Sequence, residues 1–181
     1  MRKIYLIVSL LALAIFCCGC AEEAISTEKG DCVFDSFTAT DMAGNPVNEQ
    51  IFSDQKLTMI NLWATFCSPC VEEMPGLAQL QREYRSDVQI IGIVVDAADK
   101  NGSILPDKKT EASNIIEATG ADYLHLLPSK SLNKAYLNNV QSVPETIFVD
   151  ENGNQIGVRY FGAKRKAEWK KIIDALLESV E

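Results

Sequence analysis

The stretch WATFCSPC, residues 63–70, places two cysteines three positions apart between an apolar run and a helical pattern. Residues 57–65 are rich in large apolar and β-branched side chains, which predicts a buried strand. Residues 68–84 carry apolar side chains at helical spacing, which predicts a helix with Pro75 inside it. The cysteine pair is therefore expected at the first turn of a helix that follows a buried strand.

Strand and helix patterns alternate on both sides of this stretch. Further strands are predicted over residues 34–39, 47–52, 88–95, 143–150 and 155–161, and further helices over residues 109–118, 131–137 and 164–180. An Asn-Gly turn joins the last two strands. The order predicts an α/β protein with a thioredoxin-like fold, in which helices flank a central mixed sheet. A short N-terminal β-hairpin and one inserted helix are expected as additions.

Length and charge limit the classes of function. The chain has 181 residues, of which 47% are hydrophobic and 23% charged, as in an ordinary globular domain. Its formal net charge is -8, and the sequence contains no run of Lys or Arg. A basic surface for nucleic acid is therefore not expected.

The N-terminus has the pattern of an export signal. An apolar run over residues 4–16 follows Arg2 and Lys3 and is shorter than the about 20 residues of a typical membrane span. The sequence then resembles a bacterial lipoprotein signal, in which Gly19 precedes an acylated Cys20. An ordinary cleaved signal is the alternative. We expect a signal peptide at residues 1–19, a flexible tether at 20–31 and a thioredoxin-like domain at 32–181.

The position of the cysteine pair suggests its chemistry. A sulfur at a helix N-terminus meets unpaired N–H groups and the positive end of the helix dipole, which favours the thiolate. Cys67 is therefore the candidate nucleophile. Cys70 lies close enough to form a disulfide with Cys67 while being shielded, so it is the candidate resolving thiol.

A zinc site uses the same spacing of cysteines and is the main alternative interpretation. Zinc needs four ligands, and outside the pair the processed chain offers only Cys32, the single His125 and Cys20, which the lipoprotein signal would leave acylated. We therefore expect no metal site. Cys32 is expected to be a small buried residue, and His125 a structural histidine with its hydrogen bonds satisfied.

Two motifs together resemble a known family. WATFCSPCVEEMP at residues 63–75 and SVPETIFVDENG at residues 142–153 are similar to the TlpA/ResA branch of membrane-anchored thioredoxin-like thiol-disulfide oxidoreductases. The resemblance implies that Pro144 is a cis proline facing the disulfide and that the backbone of Val143 binds a substrate peptide. It also implies that Trp63 and Phe66 pack around the disulfide and contribute to substrate binding.

Two departures from related patterns concern carboxylates. Cytoplasmic thioredoxins have a buried Asp where this chain has Asn61, and Glu73 matches the active-site Glu of ResA-like proteins. Glu73 is expected to shuttle the proton that Cys70 loses, although a solvated early-helix acid is the alternative. Glu72 is expected to be such a solvated acid. Glu145 stands where relatives usually have Thr, and we expect it to influence which substrates are admitted.

The resulting hypothesis is an extracytoplasmic, lipid-anchored reductase of envelope protein disulfides. The redox-active Cys67–Cys70 disulfide would be its only redox group, with no further cofactor. The resemblance implies a membrane electron donor of the CcdA/DsbD kind, and we expect a monomer. The alternatives are a metal-binding lipoprotein or chaperone and a peroxiredoxin-like peroxidase, although the Pro-x-x-x-Thr-x-x-Cys pattern of such peroxidases is absent.

Overall fold

The structure, a computed structural model, describes residues 24–180 as an eight-stranded sheet covered by helices. The strands are β1 (Lys29–Cys32), β2 (Thr38–Asp41), β3 (Pro46–Asn48), β4 (Leu57–Trp63), β5 (Val88–Val94), β6 (Leu124–Leu127), β7 (Glu145–Asp150) and β8 (Asn154–Phe161). The helices are α1 (Ser68–Glu83), α2 (Pro106–Thr119), α3 (Lys130–Ala135) and α4 (Lys166–Val180). Short 3-10 helices cover Glu49–Asp54 and Leu137–Asn139.

The sheet is mixed, with strand order β1-β8-β7-β4-β5-β6-β2-β3. Strands β4, β5 and β6 run parallel, whereas β7, β8 and the β2–β3 hairpin pair antiparallel with their neighbours. The predicted α/β architecture, with a central mixed sheet and an N-terminal hairpin, is therefore confirmed.

Strand β4 lies in the middle of the sheet, and all its residues are buried. It pairs with β5 on one side and with β7 on the other. Side chains of a strand alternate between the two faces of the sheet. Met59 and Trp63 enter the core beneath α1 and α4, whereas Ile60 and Leu62 enter the core on the face of α3. Strand β4 thus ends at the cysteine motif with both of its faces fixed by packing.

The strands predicted over residues 34–39 and 47–52 are partly wrong. Phe34 and Phe37 lie before β2 and pack with Phe52 and Tyr136 in an aromatic cluster, with ring centroids 4.9 to 6.0 Å apart. Strand β3 ends at Asn48, whose side chain accepts a hydrogen bond from the backbone of Gln50 and caps the following 3-10 helix. Aromatic packing and capping therefore replace strand pairing in these segments.

The insertion contains more than the predicted helix. Helix α2 was predicted over residues 109–118 and covers Pro106–Thr119, with Gly120 as its C-cap at a left-handed φ of 64°. The four-residue strand β6 that follows was not predicted. It extends the parallel part of the sheet and pairs with β2 on its other side. The α2–β6 insertion, residues 106–127, therefore connects the N-terminal hairpin to the rest of the sheet.

The predicted tether is shorter than expected. Lys29–Cys32 pairs with β8, and the Lys29 ammonium lies 2.6 Å from the Asp150 carboxylate. The backbone N–H of Gly157 also donates to the carbonyl of Glu28. The prediction of a flexible tether over residues 20–31 is thus wrong from Glu28 onward, because these residues complete the sheet edge. The predicted signal peptide and Cys20 lie outside the described residues.

None of the helices between residues 24 and 180 is both long enough and apolar enough to cross a bilayer.

Gly92, in β5, provides a test of this packing. A Cβ atom there would lie 2.2 Å from Nδ1 of His125 and 3.1 Å from Nε1 of Trp63. We expect Gly92→Ala to reduce the free energy of unfolding by about 1–3 kcal/mol, because the buried rings have to shift. Urea denaturation measures the loss. Gly30→Ala in β1 is the matched control, since its Cβ would make ordinary contacts at 3.6 Å. Equal stability of the two variants would contradict this packing.

Candidate active site

The cysteine pair occupies the N-terminus of α1. Cys67 is the N-cap residue, and its sulfur accepts a hydrogen bond from the backbone of Cys70 at 3.3 Å. The two sulfurs are joined in a disulfide, with their Cα atoms 5.3 Å apart. Cys67 is 6% exposed and Cys70 is fully buried. Of the two sulfurs, that of Cys67 is therefore the one that a partner molecule reaches first.

The loop before Cys67 is held by charged side chains. The Asp96 carboxylate accepts hydrogen bonds from the backbone N–H and the hydroxyl of Thr65, at 3.0 and 2.7 Å. Lys108 of α2 donates to the same hydroxyl at 2.8 Å and lies 3.6 Å from the Asp96 carboxylate. The backbone of Cys67 donates to the carbonyl of Ala64, which closes the turn. These contacts fix the direction in which the chain enters α1.

Trp63 lies beneath the loop. It is fully buried, and its indole N–H donates to Nδ1 of His125 at 3.2 Å. The prediction that the Trp63 side chain contacts substrate is therefore wrong, because the ring packs in the core and supports the site from below. His125 is a satisfied structural histidine, as predicted, since Nε2 lies 3.1 Å from the carbonyl of Ala121. Burial lowers the pKa of His125 to about 4, so the ring is neutral at pH 7.

The other predicted contact residues differ in their exposure. Phe66 is 71% exposed, so most of its side chain faces solvent. The bond between Val143 and Pro144 is cis, as the family resemblance implied. Val143 is half-buried and Pro144 is buried. The carbonyl of Pro144 accepts a hydrogen bond from the backbone of Gly162 at 2.9 Å.

Glu73 is buried on α1, one helical turn beyond Cys70, and only 6% of it is exposed. One carboxylate oxygen, Oε1, accepts a hydrogen bond from the Asn61 side chain at 2.9 Å. The other, Oε2, accepts hydrogen bonds from the backbone N–H of Lys164 and the indole of Trp169, each at 3.1 Å. The alternative that Glu73 is a solvated acid is therefore wrong. Glu72, by contrast, is exposed as expected.

Burial raises the pKa of the Glu73 carboxyl above its ordinary value of 4.5. The hydrogen bonds from Lys164, Trp169 and Asn61 and the charge of the Lys164 ammonium oppose this effect. Desolvation thus favours the neutral form, while the donors favour the ionised form. A carboxyl group balanced in this way is suited to taking up and releasing a proton near a buried thiol.

Glu145 lies on the opposite face of the sheet. It is fully buried, and Oε1 accepts hydrogen bonds from the Tyr136 hydroxyl at 2.5 Å and from Arg159 at 2.6 and 2.9 Å. The Arg159 guanidinium also lies 5.5 Å from the ring centroids of Tyr136 and Phe161. Because Glu145 is fully buried, substrate cannot touch it directly in this conformation. Any influence on substrate choice has to act through its neighbours.

Cys32 differs from its prediction. It is exposed on the edge strand β1, where its thiol lies 3.6 Å from the carbonyl of Asn152. The expectation of a buried cysteine is wrong because β1 belongs to the edge of the sheet and all of its residues are exposed. Within residues 24–180, no three His, Cys, Asp or Glu side chains cluster as metal ligands would.

Sequence reasoning missed the residues that support the site from a distance. Asp96, Lys108, Arg159 and the backbone N–H of Lys164 were not singled out. The only available signal was weak: Asp96 lies two residues after the buried strand β5, at the edge where β4 leads into the cysteine loop. The apolar periodicity of residues 164–180 predicts a helix, but it could not predict the hydrogen bond from Trp169 to Glu73.

The sequence of this chain is similar to those of known proteins. The model of the AhpC/TSA family matches residues 30–156. The chain is 30% identical to thioredoxin-like protein YneN of Bacillus subtilis over 119 residues, which cover 66% of this chain and 64% of YneN. It is 24% identical to the thiol-disulfide oxidoreductase ResA of Halalkalibacterium halodurans over 127 residues, which cover 70% of this chain and 66% of ResA. The chain thus spans just under two thirds of these relatives.

A solved structure shows the same fold. The crystal structure of a thiol:disulfide interchange protein from Chlorobium tepidum, a thioredoxin family protein, has a TM-score of 0.64 and 20% sequence identity. The match covers 87% of this chain and 99% of that one. The thioredoxin-like fold predicted from the order of strands and helices is therefore confirmed.

The buried Glu73 predicts a specific dependence of stability on pH. A carboxyl group whose pKa is higher in the folded than in the unfolded state favours folding at low pH, and this contribution is lost as the pH rises through the folded-state pKa. Relative to Glu73→Gln, the oxidised wild-type protein should therefore lose stability as the pH rises above about 4.5. Urea unfolding at a series of pH values measures the difference. Glu72→Gln, at an exposed position, should follow the wild type, and parallel curves for wild type and Glu73→Gln would contradict the prediction.

Proposed function

This chain belongs to the AhpC/TSA family, and on that basis we propose that it exchanges disulfides with other proteins through Cys67 and Cys70. The observation that carries the proposal is the disulfide at the N-terminus of α1, in which Cys67 is slightly exposed and Cys70 is fully buried. The resemblance to the TlpA/ResA branch is confirmed at the level of the family by the relatives named above. One of those relatives is named a thiol-disulfide oxidoreductase, which supports this activity.

In the reducing direction the reaction has two steps. The Cys67 thiolate attacks one sulfur of a substrate disulfide, which forms a mixed disulfide and releases the other substrate sulfur as a thiolate. Cys70 then loses its proton to the Glu73 carboxylate and attacks the Cys67 sulfur. The Cys67–Cys70 disulfide forms and the second substrate sulfur leaves as a thiolate. Two electrons thereby pass from the dithiol to the substrate.

The helix terminus determines which sulfur acts first. Backbone N–H groups and the helix dipole favour negative charge on Cys67, and its sulfur already accepts a hydrogen bond from the backbone of Cys70. Cys70 lacks solvent contact, so its deprotonation needs a base within the protein. Glu73 is buried one helical turn away and is the candidate base.

The substrate would lie across the surface beside Cys67. The half-buried Val143 can offer its backbone to an extended peptide, in the manner of an added strand. The exposed aromatic ring of Phe66, directly before Cys67, can contact an apolar side chain near the substrate cysteine. Phe66, Val143 and Pro144 therefore form the proposed substrate-binding surface, supported from below by Trp63.

We further propose an extracytoplasmic, membrane-anchored protein that acts as a reductase. The Gly19–Cys20 sequence supports a lipid anchor at Cys20, and the family resemblance supports a CcdA/DsbD-type electron donor. In this proposal the chain acts as a monomer and reduces disulfides of envelope proteins. The reduction potential tests the direction, since a value near about −270 mV supports a reductase and one near about −120 mV an oxidant.

A peroxidase is the second candidate, because the matching family model is that of AhpC/TSA proteins. Assays of insulin-disulfide reduction and of peroxide turnover separate the two activities. Faster turnover of peroxide than of insulin disulfides would replace the proposal by the peroxidase. Metal analysis of the reduced protein tests the third candidate, a metal-binding lipoprotein.

Removal of the resolving thiol should trap the substrates. Cys70→Ser can form a mixed disulfide through Cys67 but cannot release it, so covalent adducts should accumulate when the variant is expressed in its native cell envelope. Non-reducing gels detect the adducts and mass spectrometry identifies them. Cys67→Ser is the matched control and should trap little. Adducts on Cys67→Ser alone would reverse the roles of the two cysteines, and adducts that require Cys32 would assign that exposed thiol to the reaction.

Loss of the proposed base should slow only the second step. Glu73→Gln keeps the size of the side chain but cannot accept the Cys70 proton, so resolution of a mixed disulfide should slow by about 100-fold, the usual scale of general base catalysis. Formation of the mixed disulfide at Cys67 should change far less. Stopped-flow measurements of both steps, with Glu72→Gln as the control, test this. Equal slowing of both steps would remove Glu73 from the proposed role.

A further inference from the structure

A short backbone segment contacts both Glu73 and the Val143–Pro144 edge. This segment, Gly162–Lys164, lies between the end of β8 and the start of α4. Its first residue donates a backbone hydrogen bond to the carbonyl of Pro144 at 2.9 Å. Its last residue donates one to Oε2 of Glu73 at 3.1 Å. The proposed substrate-binding edge and the proposed base are thus connected through a single stretch of main chain.

The segment is fixed at both ends. Phe161, directly before it, pairs with Glu145 in the β7–β8 ladder. Gly162 adopts a φ of 77°, a left-handed conformation that favours glycine. After the segment, the indole of Trp169 in α4 donates to the same Glu73 oxygen as the backbone of Lys164. A displacement at the Pro144 end therefore changes the geometry at the Glu73 end.

The charge on Glu73 determines how strongly it holds the segment. An ionised Oε2 accepts the hydrogen bonds of Lys164 and Trp169 as charge-assisted bonds, which are stronger than those to a neutral carboxyl. A proton on Glu73 weakens them. The ionised form therefore keeps the segment, and with it the Pro144 carbonyl, in the conformation of this structure.

We propose that the Gly162–Lys164 segment couples peptide docking at Val143–Pro144 to the charge of Glu73, an inference that rests on the proposed function. Docking of a peptide would favour the ionised form of Glu73, which is the form that takes the proton of Cys70. By thermodynamic reciprocity, the ionised form would in turn favour peptide docking. The backbone N–H of Lys164 is thus a positioning group that acts through Glu73.

Other groups also face the Glu73 carboxyl and have to be distinguished from this effect. They are Asn61 on β4, Trp169 on α4, the Lys164 ammonium and Tyr123, which precedes β6. The Lys164 ammonium lies 5.6 Å from the Trp169 ring centroid and favours the ionised carboxylate by its charge. The charge of the Lys164 side chain therefore has to be separated from the hydrogen bond of its backbone.

The test uses two probes attached to Cys67 as mixed disulfides. The protein is the full chain with Cys70→Ala and with serine at its cysteines outside the pair. One probe is the neutral peptide acetyl-Ala-Ala-Cys-Ala-Ala-amide, which has a backbone to dock. The other is 2-mercaptoethanol, which has none. Carbon-13 NMR of labelled glutamate measures the pKa of Glu73 in each adduct, with Glu73→Gln identifying its signal.

The pKa of Glu73 should be lower in the peptide adduct than in the 2-mercaptoethanol adduct. The proton dissociation constant of Glu73 should be higher by about fivefold or more, which is the low end of typical coupling between sites. Lys164→Met removes the ammonium but keeps the backbone N–H, so the difference between the adducts should remain. Lys164→Pro removes the N–H, and the difference should disappear. An amide-to-ester replacement at Lys164, made by semisynthesis, gives the same test if the proline variant fails to fold.

Two results would overturn the coupling. One is that the pKa of Glu73 is equal in the two adducts when Lys164 is unchanged. The other is that the peptide still lowers the pKa of Glu73 when the Lys164 N–H has been removed. Disulfide turnover of the chain with both active-site cysteines is measured in parallel. Normal turnover with no shift refutes the coupling alone, whereas absent turnover refutes the proposed function.

Discussion

The carboxylate of Glu73 is buried one helical turn beyond Cys70, and burying a charge is costly unless hydrogen bonds compensate it. Its donors come from the central strand through Asn61, from a loop through Lys164 and from the last helix through Trp169. No local segment can supply this set. The site is therefore complete only when the sheet, the loop and the C-terminal helix have assembled, and proton transfer near Cys70 depends on the whole fold.

The sequence predicted the elements that have long and regular patterns. Strand β4, helix α1 and helix α4 lie where their periodicity placed them, because each has a continuous buried face. Strand β6 was missed because its four residues, flanked by a Tyr and a Pro, are too few for a period to be recognised. The segment containing Phe34 and Phe37 was mistaken for a strand because its side chains pack as an aromatic cluster, which has no backbone pattern to reveal it.

The site was predictable where chemistry follows local spacing. Cys67, Cys70 and Glu73 share one helix, so their relative positions follow from the sequence. Contacts between distant segments did not follow from it. Trp63 was expected to pack around the disulfide and contribute to substrate binding, yet its ring is in the core and donates to His125, which lies in the strand that was missed. The exposure of Cys32 likewise depended on an edge strand that had been taken for a tether.

The α2–β6 insertion has a consequence for engineering and for comparing relatives. It contributes Lys108 to the hydroxyl of Thr65 and His125 to the indole of Trp63, so both of its elements hold the chain just before Cys67. Grafting the WATFCSPC motif into a scaffold without the insertion would transfer the cysteines but not their support. In chimeras of related proteins, the motif and the insertion should therefore be exchanged as one module, and residue changes in the two should accompany each other during divergence.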